Sequence, residues 1–116
     1  MARRRTAKDD CLRQCIARLL DLPPSRVPHF VGKYKGRWIW HLARWCERRG
    51  LAMVLASHGR ERGVVAGVTW WISIGTTRCG TCHAVLVHRD KGVVYDGGNP
   101  LRRHSRVLVI VGAKLA

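Results

Sequence analysis

The apolar spacing of this chain changes period once, near Gly50, and that change limits the fold more than any other feature. Before it, apolar residues recur at helical intervals. Leu12, Cys15, Ile16, Leu19 and Leu20 follow Asp9-Asp10 with i, i+3, i+4, i+7 spacing, which predicts a helix from about 10 to 21 with an acidic N-cap. Pro23-Pro24 stops it, because the residue before a proline is pushed out of helical conformation. Trp38, Ile39, Leu42, Trp45 and Cys46 predict a second helix to about Arg49, ended by Gly50 as a C′ residue. After Gly50 the apolar residues fall in short runs. Residues 51–56, 68–75, 83–89, 92–96 and 106–112 read as strands, with Asp90-Lys91-Gly92 as a hairpin turn. "SRVPHF" reads as a short turn packing Val27 and Phe30, and "GKYKG" and "SHGRERG" as loops. Helices followed by strands predict an α+β fold, with N-terminal helices packed on an antiparallel sheet. The chain has no internal repeat. Residues 1–8 read as a basic flexible tail and 9–116 as one domain.

Charge narrows the partners. There are 22 Lys+Arg against 7 Asp+Glu, a net charge of +15. Such an excess favours nucleic acid, a membrane surface or an acidic protein. The basic residues are spread over every segment, and no helix-turn-helix or zinc-finger spacing is present. No apolar run approaches the roughly 20 residues of a membrane span. The basic N-terminus is followed by no apolar stretch of the kind a secretory signal carries. Five cysteines are an odd number, so at least one lacks an internal partner, and a reducing cytoplasm is the expected compartment.

The most conspicuous motif is Cys79-Gly80-Thr81-Cys82-His83. A C-x-x-C-H string can attach haem, form half a zinc site or act as a redox pair. Haem attachment needs an export route, and zinc a second pair of ligands at compact spacing. A redox pair belongs at the start of a helix, whereas "HAVLVH" reads as a strand. The remaining reading keeps only His83, and expects neither cofactor nor metal. If Val87 pairs with Gly92 across a loop of His88 to Lys91, His83 falls opposite Asp96, about 5 Å away across the ladder. Asp96 would then orient the imidazole. The alternative is a surface histidine beside a turn aspartate.

A His–Asp couple asks for a nucleophile, and Cys11 is the candidate. At a helix start, the dipole and free N–H groups favour a thiolate, while Asp9 and Asp10 oppose it. Cys11 lies at the flank of the apolar stripe and Cys15 nearer its centre, and taken alone Cys11 reads first as a structural cysteine.

The order Cys at a helix start, His at a strand start, Asp at the end of the next strand resembles the papain-like cysteine peptidases. The likeness is closest to their small bacterial and phage branch, related to the peptidases that cut double-glycine leader peptides. "DDCLRQCIARLLDLPPSRVPHF" is similar to that branch's opening segment, and "CHAVLVHRDKGVVYDGGNP" to its His strand, hairpin and Asp loop. Together they cover about a third of the chain. The resemblance implies a papain-like α+β fold and a cysteine hydrolase acting on a peptide or protein. Cys11 would be the nucleophile, His83 the general base and acid, and Asp96 the orienting carboxylate. The family usually carries a Gln oxyanion donor about six residues before the Cys. Arg5 stands there instead, with Thr6 beside it, and Gln14 is one turn into the helix on the wrong side. Arg5 or Thr6 would have to join a backbone N–H in that role. The competing expectation is a catalytically inactive member that binds an acidic protein or nucleic acid through its basic surface.

Among the aromatics, Trp38 and Trp45 share the apolar face with Leu42 and read as core. Trp40 points elsewhere, near Arg37, His41 and Arg44, and is the best candidate for stacking on a base. Trp70 and Trp71 alternate on a strand, so one of them faces the core. His29 reads as turn packing, and His58, His88 and His104 as exposed.

Overall fold

The computed structural model describes residues 10–57 and 59–112. The basic tail, Arg5, Thr6, Asp9 and His58 lie outside the described residues. Helix α1 spans Cys11–Leu20 and buries Leu12, Cys15, Ile16, Ala17 and Leu19. The chain leaves it before the prolines, through Asp21 at φ 55, with Leu22 N–H donating to Ala17 O at 2.9 Å. A single 3₁₀ turn, Pro24–Arg26, follows. Arg13 ties this turn to α1, donating from Nε to Pro24 O at 2.9 Å and Val27 O at 2.8 Å. Val27 and Phe30 are buried, as the turn pattern predicts.

The stretch expected as a loop at 32–36 is helical instead. Helix α2 is Phe30–Tyr34, and a 3₁₀ turn at Lys35–Arg37 leads into α3, Trp38–Arg48. The reason is an unusual cap: His29 Nδ1 accepts from Gly32 N–H at 2.8 Å, doing what Ser, Thr or Asp does at most helix starts. Helix α3 buries Leu42 and Cys46 and ends as predicted before Gly50, whose φ is 74. The second expected loop contains a short helix, α4, Glu61–Val65.

The strands are β1 Ala52–Ser57, β2 Trp70–Thr77, β3 Cys82–His88, β4 Gly92–Tyr95 and β5 Leu101–Val111. They form one antiparallel sheet in the order β1-β5-β2-β3-β4. Strand β5 begins five residues before the expected 106. Register places Leu108, Ile72 and Leu86 side by side, with Ile74 opposite Ala84 and Met53 opposite Ile110. This face packs on Ile16, Leu19, Phe30 and Leu42 from the helices. The reverse face buries Val85 and Val107, and α4 packs on β1 and β5. Strands β2 and β5 approach so closely at Gly75 that a Cβ there would stand 1.7 Å from Arg103 O. Among the described residues, no helix is long and apolar enough to cross a membrane.

The β3–β4 hairpin departs from the expected register. His88 pairs with Gly92, and Val87 with Val93, so the connecting loop is one residue shorter than expected. A slip then sets Leu86 opposite Tyr95. Gly92 at φ 80 takes the left-handed conformation that closes such short turns. His88, expected at the surface, is buried. Its Nδ1 accepts from Asp90 N–H at 3.1 Å and Lys91 N–H at 3.3 Å, which holds the turn.

Candidate active site

Cys11 opens α1 at the edge of the helix–sheet interface, half-buried, while Cys15 one turn later is fully buried. Both answer to one residue of β3. Cys15 Sγ donates to Ala84 O at 3.5 Å, and the Cys11 thiol hydrogen-bonds the Ala84 backbone. The Cys11 pKa is raised. Burial is the largest cause, and the neighbouring Cys82 thiol adds to it. Hydrogen bonds to the backbone of Ala84 and Leu12 pull the other way without winning. Cys11 therefore rests as a neutral thiol. Burial raises Cys15 much further, and Cys46 to about 11.

His83 is the second residue of β3, opposite Gly75 of β2, and is 8% exposed. Its Nε2 lies 2.7 Å from the backbone oxygen of Asp96. A carbonyl can only accept, so Nε2 carries the proton, and Nδ1 is the ring nitrogen left to exchange one. The ring lies beside Tyr95 and Gly97: a Cβ on Gly97 would come 3.6 Å from Tyr95 Oη and 4.0 Å from His83 Cε1. Cys11 and His83 together line two adjoining cavities. One, of about 160 Å³, is walled by Leu12, Val31, Trp38 and Ile74, with Cys82 and Arg106 at its margin. The other, of about 380 Å³, adds Asp10, Gln14, Tyr95, Gly97 and Asn99.

The contact from Asp96 is not the expected one. With the shorter turn and the slip at Leu86, Asp96 is no longer the ladder partner of His83. Its carboxylate instead accepts from Gly98 N–H at 2.8 Å, and the peptide oxygen holds the histidine. Asp10 likewise makes no side-chain cap to its helix. Its carboxylate accepts from Gln14 Nε2 at 2.9 Å and lies 3.5 Å from Arg13 Nη1 and 3.7 Å from His29 Nε2.

Gln14, placed by the sequence on the wrong side of Cys11 for the family's oxyanion Gln, nevertheless lines the cleft. The signal was present, since i and i+3 share a helix face. Trp38 and Arg106 also border the site, and only their fold neighbours reveal it. The two cysteines of the C-x-x-C-H string part company. Cys79 lies in the β2–β3 turn, which Thr77 and Thr81 close by a 2.7 Å hydroxyl contact, and it borders a different hollow with Arg78 and Pro100. Cys82 faces the Cys11 cavity. All five cysteines are free thiols. Among the described residues, no three His, Cys, Asp or Glu side chains converge on a point that could hold a metal. Compared with protein-family models, curated proteins and solved structures, the chain matches none of them.

Proposed function

We propose that the protein is a small papain-like cysteine hydrolase that cleaves an amide or related acyl bond in a peptide or protein. The observation that carries this reading is the meeting of Cys11 and His83 at one cleft, with the Nε2 proton of His83 committed to Asp96 O. The sequence resemblance supplies the same two residues in the same order. In this mechanism His83 takes the Cys11 proton on Nδ1 as substrate enters. The thiolate attacks the carbonyl carbon, and the oxygen collects the charge. Backbone N–H groups at the start of α1 stabilise that oxyanion. His83 then gives the proton to the leaving amine, and water releases the acyl group from Cys11. Asp96 serves as a positioning residue through its peptide oxygen. An electrophilic peptidyl probe tests the reading. It should label Cys11 far faster than the other four cysteines, and His83→Ala should remove that preference. Equal labelling at all five would reject it.

A second reading is favoured by the raised Cys11 thiol and the +15 charge: a papain-fold module, catalytically inactive, that binds an anionic partner. It predicts binding that survives Cys11→Ala and weakens steeply with salt.

A further inference from the structure

We infer that the outer face of α2 and α3 binds single-stranded nucleic acid, with Trp40 as the stacking platform. The inference deepens the second reading by naming a surface and a partner, and it holds whether or not Cys11 is active.

Four cations line this face. Arg37, just before α3, and Arg44 and Arg48 of α3 are exposed and fall on one stripe at successive i+7 and i+4 steps, and Lys33 of α2 lies near enough to act on His41. The stripe runs about 16 Å along the helix. Among the described residues, Glu47 lies 3.5 Å from Arg44 on this face. Trp40 stands among these cations with 52% of its surface exposed. The Arg44 and Arg37 guanidiniums lie 5.3 and 6.0 Å from its ring centroid, and the His41 ring meets it edge-on at 4.9 Å. His41 in turn stacks on Tyr34 with centroids 3.5 Å apart and planes within 9°. The face thus offers an open indole, a second stacked pair and a row of cations.

A single strand presents base π-faces and backbone phosphates at regular intervals, which is the pattern this surface complements. An acidic peptide would use the cations and leave the indole idle. An anionic membrane would want a wide apolar stripe. Among the described residues, the only exposed large hydrophobics of α2 and α3 are Val31 and Trp40. Trp40 stands outside the hydrophobic core on which Trp38 and Trp45 pack.

Fluorescence anisotropy with a labelled 15-nucleotide oligothymidylate and the full chain tests this. Binding should weaken steeply between about 50 and 200 mM salt. Trp40→Ala should weaken it about tenfold, and Trp40→Phe should restore most of the loss. Arg44→Gln with Arg48→Gln should lower the salt slope by about 1.4. Arg102→Gln with Arg103→Gln on β5 is the control, and circular dichroism verifies that each variant folds. Oligonucleotide binding untouched by Trp40→Ala, or equally weakened by the β5 pair, overturns the surface and leaves the basic-module reading standing. Binding of polyglutamate or phosphatidylserine vesicles without binding of the oligonucleotide overturns the partner. Binding of none of the three overturns the module reading as well.

Discussion

The Nε2 proton of His83 is held by the peptide oxygen of Asp96 at 2.7 Å, while the Asp96 carboxylate is occupied by Gly98 N–H. A backbone oxygen survives any substitution of its own side chain. Asp96→Ala should therefore reduce probe labelling of Cys11 by less than about tenfold, whereas His83→Ala should remove its preference over the other cysteines. In triads where the carboxylate itself orients the ring, its removal costs about 10⁴-fold. A loss of that size in Asp96→Ala would show that the carboxylate turns onto the ring when substrate binds.

The Cys11 thiol sits above a free cysteine in pKa, from burial first and Cys82 second. Both disfavour the anion, so a small alkylating agent such as iodoacetamide should react slowly at neutral pH and faster as pH rises. The midpoint should lie above that of a free thiol. Cys82→Ser removes one of the two causes and should move the midpoint down. Stopped alkylation read by mass spectrometry across pH 6–11 gives both values.

Burial raises Cys46 to about 11 and Cys15 further. A folded pKa above the unfolded one means the unfolded chain loses its protons first. The contribution to stability is whole below the unfolded thiol range and fades as pH climbs through about 11. Urea midpoints should fall between pH 8.5 and 10.5, and Cys46→Ala should make that fall shallower. A flat profile would contradict the burial of both thiols.

Gly75 leaves no room for a side chain. With Arg103 O at 1.7 Å from any Cβ, Gly75→Ala must push β2 and β5 apart. Overpacking of this kind costs about 1–3 kcal/mol. The melting temperature should drop by roughly 5–15 °C. Gly63→Ala in α4, with nothing within 4 Å, should leave it unchanged or raise it slightly.

The parts of the fold that follow from periodicity were legible in the sequence. Helices α1 and α3 and the five strands lie close to where apolar spacing predicts them, because burial sets that spacing. Helix α2 was hidden because its cap is His29, a residue type not read as one. The hairpin register was hidden because one residue of turn length flips the ladder, and apolar pattern does not count turn residues. Cys11 and His83 could be named from type and local position. The changed role of Asp96 and the presence of Gln14, Trp38 and Arg106 around the cleft depend on tertiary placement.

Ala84 ties these levels together. Its carbonyl receives Cys15 across 69 positions of chain, its backbone engages Cys11, and its neighbour is His83. The separation of thiol and imidazole is therefore fixed at one docking point between the first helix and the third strand. Nothing local in either segment can assemble it. A chain still on the ribosome, or one halted before the sheet closes, carries Cys11 as an ordinary solvated thiol away from His83. Paired reactivity at Cys11 would thus report completion of folding in a single chemical readout.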